Sequence, residues 1–72
     1  MRRHKVESAI FKSVGYYIDD KILEVEFRDT GEVRQYLDFP QLAYKKFVNA
    51  LSLDEFFNTR IRNKYKEVQV KQ

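Results

Sequence analysis

Gln35-Tyr36-Leu37-Asp38-Phe39-Pro40-Gln41-Leu42-Ala43-Tyr44-Lys45-Lys46-Phe47 is where the periodicity of the chain changes. Upstream, apolar residues alternate, as in a strand with one buried face. Downstream they recur every three or four positions, as in a helix lying on a core. Pro40 marks the switch, because it has no N–H for a sheet ladder and its fixed φ suits the first turn of a helix. Asp38, two residues earlier, carries a side chain able to cap that helix.

Three strands are expected before the switch. Ser8, Ile10, Lys12, Val14, Tyr16 and Ile18 hold the even positions of the first, an alternation broken only by Lys12. Phe11 is out of phase with that set, which points to a register change near Lys12. Gly15 inside the run signals a bulge or a close backbone approach. Asp19-Asp20 is turn chemistry. The second strand, Lys21 to Arg28, has the cleanest alternation: Leu23, Val25 and Phe27 on one face, Glu24, Glu26 and Arg28 on the other. Asp29-Thr30-Gly31 turns the chain, with Gly31 free to take a positive φ. In the third strand, Glu32 to Leu37, Val33 and Leu37 are assigned to the oily face and Arg34 and Tyr36 to the polar one.

Two helices are expected after the switch. Ala43, Tyr44, Phe47, Val48 and Leu51 form the apolar stripe of the first. Ser52-Leu53-Asp54-Glu55 is a capping-box pattern that starts the second, whose stripe is Leu53, Phe56, Phe57 and Ile61. Arg60 interrupts that stripe. Asn58, Arg62 and Tyr65 are spaced to share an adjacent face. Lys66 to Lys71 alternates again, as a tail or an edge strand would. The expected fold is thus a single α+β domain. A three-stranded antiparallel meander, with a short fourth strand at the C-terminus as an option, is covered on one face by two consecutive helices. Residues 1–7 are expected to be a flexible basic arm, 8–65 the core and 66–72 the tail or edge strand.

With 72 residues, the chain has little core to spare, since a domain of about 60 residues buries only about 60% of its unfolded surface. It has no cysteine, but six phenylalanines and five tyrosines. Each aromatic side chain removes roughly 150–250 Å² from water when buried, so aromatic packing is the expected source of stability. No apolar run approaches the roughly 20 residues of a membrane span. The basic start Met1-Arg2-Arg3-His4-Lys5 lacks the hydrophobic stretch of a signal peptide. A soluble, cytoplasmic protein is expected, with no membrane contact.

Charge is uneven. In residues 1–12, Arg2, Arg3, Lys5 and Lys12 stand against Glu7. In residues 13–59, five basic residues stand against nine acidic ones, and in residues 60–72 five stand against Glu67. Basic ends around an acidic middle attract polyanions through counterion release, although ordinary solubility also accounts for a net charge of +3. Catalysis finds little support. The only histidine is His4, and the Asp19-Asp20 and Asp54-Glu55 pairs are already explained as a turn and a helix start. No His/Cys spacing suits a metal and no Gly-rich loop suits a phosphate, so no cofactor is expected. What remains is basic and aromatic: Arg34 and Tyr36 on the third strand, and Asn58, Arg62, Lys64 and Tyr65 along the second helix. Tyrosine faces stack on unpaired bases while arginines hold phosphates. The same residues also fit amphipathic packing and a helix C-terminus.

The order of residues resembles the KTSC domain, a small module found at the C-terminus of some lysyl-tRNA synthetases and alone in bacterial and phage proteins. The resemblance is carried by Val14-Gly15-Tyr16, by Leu23, Val25 and Phe27, and by Gly31, Tyr36, Asp38 and Pro40. Tyr44, Ala50, Ser52, Phe57-Asn58, Ile61-Arg62 and Tyr65 continue it, so it spans about Ser8 to Tyr65. Arg34 stands where the family has the first of two paired tyrosines, Tyr17 where it has an aspartate, and Asp54 where it has a glycine. The synthetase association implies RNA as a ligand. The expected function is therefore a non-enzymatic module binding RNA, tRNA or single-stranded, through Arg34, Tyr36, Asn58, Arg62, Lys64 and Tyr65. The alternative is a protein-interaction adaptor or small inhibitor acting through exposed aromatics, with Phe11, Tyr17 and Phe39 as candidates. Self-association through a sheet edge or the Val68/Val70 tail is a further expectation.

Overall fold

A computed structural model describes residues 4–70. One antiparallel sheet runs in the order β1-β2-β3-β4-β5. Its strands are β1 (His4–Lys5), β2 (Phe11–Tyr17), β3 (Ile22–Phe27), β4 (Val33–Tyr36) and β5 (Glu67–Val70). Two helices, α1 (Gln41–Val48) and α2 (Leu53–Phe56), lie between β4 and β5, and α2 runs on into a π-helical segment, Phe57–Ile61. The α+β meander with two helices is thus present, and the optional strand at the C-terminal end is β5, paired along β4 from Tyr36↔Glu67 to Val33↔Val70.

The N-terminal expectation needs correction. His4 and Lys5 pair with Val14 and Ser13, so this part of the supposed arm is a short strand that satisfies the free edge of β2. Residues 1–3 of the arm and residues 71–72 of the tail lie outside the described residues. Residues 8–10 are a loop rather than strand, and β2 begins at Phe11. The register slips between Phe11 and Ser13, so Lys12 is the bulged residue, which lets Phe11 and Val14 both point inward. Gly31 takes φ 73° in the β3–β4 turn.

The helical half starts and stops differently from its sequence pattern. Pro40 is itself the N-cap of α1, with no side-chain cap. Asp38 lies two residues before that N-cap, with its backbone in the left-handed region at φ 53°, and does not cap the helix. The helix stops at Val48, where Asn49 folds back to bond the Lys45 carbonyl through both its N–H (3.2 Å) and Nδ2 (2.8 Å). Leu51 therefore leaves the apolar stripe and is fully exposed. Ser52 does cap α2, its Oγ accepting from the Glu55 N–H at 3.2 Å. The Arg62 N–H reaches the Phe57 carbonyl at 2.8 Å, the wide π-turn that ends the segment.

The core is largely aromatic. Phe11, Phe39, Phe47 and Phe57 are fully or almost fully buried with Val14, Leu23, Val25 and Ile61. Phe57 meets Phe11 edge-to-face at 4.9 Å and Tyr36 at 5.9 Å. Tyr16 stacks on Tyr44 at 4.8 Å, and its hydroxyl donates to the Phe39 carbonyl. Burial pushes the Tyr16 phenol above its ordinary pKa of 10.0. Tyr16→Phe leaves that carbonyl, on the hinge between sheet and helix, without its phenol partner. It should cost about 1–3 kcal/mol in urea unfolding, with an unchanged m-value. A loss below a few tenths would show that the bond carries no weight.

Candidate functional site

The register decides which face each strand residue occupies. Val25 pairs with Arg34 and Leu23 with Tyr36, and opposite residues in an antiparallel pair share a face. Arg34 and Tyr36 therefore lie on the helix-covered side, not on the polar face expected from the sequence. Val33 and Gln35 occupy the open face beside Glu26 and Glu24. Tyr36 is only 2% exposed, and its ring is core rather than a stacking platform. The open face is held by polar contacts: Ser13 Oγ donates to Glu26 at 2.9 Å, and Gln35 Nε2 to Glu24 at 2.9 Å.

Arg34, Tyr36 and Arg62 meet at one cleft of about 590 Å³, also lined by Phe27, Phe57 and Glu67. The Arg34 guanidinium lies 5.8 Å from the centre of the Phe27 ring. It donates to Glu32 and Glu67, both at 3.1 Å. Arg62 lies over Phe57 at 5.7 Å. Burial, and then the hydrogen bond to Glu67, push the Tyr36 phenol far above its ordinary value of 10.0. Arg34 is thus already satisfied within the fold. Asp29, Glu32 and Glu67 line the cleft against two guanidiniums, and one of those is neutralised by two carboxylates. A polyanion gains little there.

The other sequence candidates are dispersed. Asn58 and Lys64 are exposed. The helix ends at Ile61, and Asn63 turns the chain with φ 62°, so Asn58, Arg62 and Tyr65 do not share a helix face. Tyr65 packs instead against Phe39, with ring centres 4.6 Å apart. Phe11 and Phe39, candidates for exposed aromatics, are fully buried, and Tyr17 is half-buried.

Tyr65 belongs to a second groove of about 350 Å³, between α1 and the π-helical segment. Leu42, Lys46, Phe56 and Arg60 line it with Tyr65. Its lining residues include two cations and no acid. Neither Lys46 nor Arg60 forms an ion pair among the described residues. Lys64 and Lys66 flank Tyr65 and are exposed. Sequence reasoning passed over Lys46 and Arg60, placing the first outside the α1 stripe and reading the second as a conflict within the α2 stripe. That interruption of an apolar stripe by arginine was the available signal. Among the described residues, no group of three or more His, Cys, Asp or Glu is placed to hold a metal, and no helix is long and apolar enough to cross a membrane.

Comparison with protein families matches residues 7–65 to the KTSC domain. The chain belongs to the KTSC domain family. The crystal structure of KTSC domain protein YPO2434 from Yersinia pestis matches with a TM-score of 0.92 and 34% identity, covering 97% of each chain. No curated protein matches. In this KTSC domain the larger cleft is organised around Arg34. On the helix side of β4, Arg34 sits over Phe27 between two glutamates, tying the β3–β4 turn to β5.

Proposed function

We propose that this KTSC domain is a non-enzymatic binding module for RNA, with single-stranded segments or tRNA as the ligand class. Its contact surface is the groove between α1 and the π-helical segment. The observation that carries the reading is the lining of that groove: Lys46 and Arg60 beside the half-buried ring of Tyr65, with no carboxylate among them. Cations without internal partners are available to phosphates, and an aromatic edge between them suits an unstacked base. The cleft around Arg34 lacks this property, because three acids line it and two of them already hold Arg34.

Fluorescence anisotropy with labelled tRNA and an unstructured RNA, at low and moderate salt, tests this. Affinity should fall steeply as salt rises. The double variant Lys46→Ala/Arg60→Ala should weaken binding about tenfold and flatten the salt slope, because each lost phosphate contact removes roughly 0.7 from it for single strands. Both side chains are exposed, so the thermal midpoint should hold. No binding at low salt would sink the RNA reading and favour a protein partner. Binding indifferent to the double variant would place the surface elsewhere.

A further inference from the structure

We infer that the cleft around Arg34 binds a short peptide with both termini free, its C-terminal carboxylate on Arg62 and its N-terminal ammonium on Asp29. The charges of the cleft carry this. Three acids and two arginines line it. Glu32 and Glu67 both hold Arg34, each at 3.1 Å. Asp29 and Arg62 are left, and among the described residues neither forms an ion pair with the other or with any third group. The cleft thus presents one uncommitted negative charge and one uncommitted positive charge. A polyanion meets a single free cation with an acid close by. A zwitterion meets a partner at each end.

The two charges stand apart. Asp29 lies in the turn before β4. Arg62 lies over Phe57, whose ring meets Tyr36 at the far end of β4. Val33 and Tyr36 are separated by three strand rises, about 10 Å. Three extended residues span about the same length, roughly 10 Å, whereas a single amino acid carries both charges on one Cα. The ligand is therefore the size of a tripeptide.

The walls between the two ends suit a peptide. Ile10, Phe27 and Phe57 supply apolar surface for a side chain, the two rings lying 6.2 Å apart. The Thr30 hydroxyl accepts from the Glu32 N–H at 3.1 Å, so its own O–H remains to donate to a peptide carbonyl. The exposed Asn63 amide, next to Arg62, both donates and accepts. The volume of about 590 Å³ is that of a small-ligand site. No lining residue is shared with the basic groove, so the inference does not depend on RNA binding there.

Isothermal titration calorimetry of the full chain with alanyl-leucyl-alanine is the test. The expected dissociation constant is on the order of 0.1 mM. Acetylating the peptide's amine or amidating its carboxylate should each weaken binding about tenfold, since each removes one charge-assisted contact. Arg62→Gln should bind the free and amidated peptides equally, and Asp29→Asn the free and acetylated ones. Thermal midpoints should hold, because neither side chain is in an ion pair among the described residues. If Arg62→Gln lowers the midpoint through its contact with Phe57, Asp29→Asn with the acetylated peptide decides. No saturation by about 10 mM peptide, blocked peptides that bind like the free one, or a preference that survives its matching variant would each overturn the inference.

Discussion

Phe57→Ala is expected to leave the domain mostly unfolded at room temperature. Phe57 is where the first turn of the π-helical segment enters the core. Its ring contacts Phe11 at 4.9 Å, Tyr36 at 5.9 Å and Phe27 at 6.2 Å, and supports the Arg62 guanidinium at 5.7 Å. Truncating a buried phenylalanine costs about 3–5 kcal/mol through lost transfer energy and the cavity left behind. A core of this size rarely supplies more than about 3–5 kcal/mol in all. The loss is therefore comparable with the whole stability of the fold. Circular dichroism during thermal unfolding should show little cooperative transition, while Phe57→Leu, which keeps most of the volume, should retain one. A cooperative transition lowered by only a few degrees in Phe57→Ala would show that neighbouring rings close the cavity.

Asp54→Ala is expected to cost about 1–3 kcal/mol, because it removes a carboxylate that holds three donors. The Ser8 hydroxyl and the Ala9 and Ile10 N–H groups all donate to Asp54, the last two at 3.1 and 3.4 Å. Arg28 grips the same loop from the other side, Nε on the Ser8 carbonyl and an η-nitrogen on the Phe11 carbonyl, both at 3.1 Å. The loop that enters β2 is thus clamped between α2 and the end of β3. The hydrogen bond from Ser8, followed by those from the backbone, holds the Asp54 carboxyl below its ordinary value of 3.8. A depressed folded pKa stabilises the protein above the unfolded value. That contribution disappears as the pH falls below 3.8 through the lower folded value. Urea titrations at neutral pH and at about pH 3 should therefore show a smaller wild-type-to-variant gap in acid. An equal gap at both pH values would remove Asp54 from the acid response.

Much of the sheet was legible because its signals are local. Leu23, Val25 and Phe27 alternate without a break, Gly31 answers a turn that needs positive φ, and Phe11 falls out of phase where Lys12 bulges. The face of β4 was not legible. Val33-Arg34-Gln35-Tyr36 has an apolar residue on each phase. Val33 is buried on the open face and Tyr36 under the helices, so no hydrophobic count separates them. The Asp54 clamp was hidden for a different reason. Its partner Ser8 is 46 positions away, and an acid in the first turn of a helix is already explained by the macrodipole. The basic groove escaped because Lys46 and Arg60 sit on different helices and converge only after α1 and α2 pack. β1 has two residues and no pattern of its own; only the free edge of β2 calls for it.

The wide turn at Phe57–Ile61 also bears on insertions and deletions. In an α-helical path the Arg62 N–H would reach Asn58 rather than Phe57. The π-turn therefore accommodates one residue more than a regular helix would over the same span. Each residue of an α-helix rotates the chain by about 100°, so without this surplus everything from Arg62 to β5 would leave the helix in another direction. The length of this short stretch, as much as its composition, aims β5 at the edge of β4.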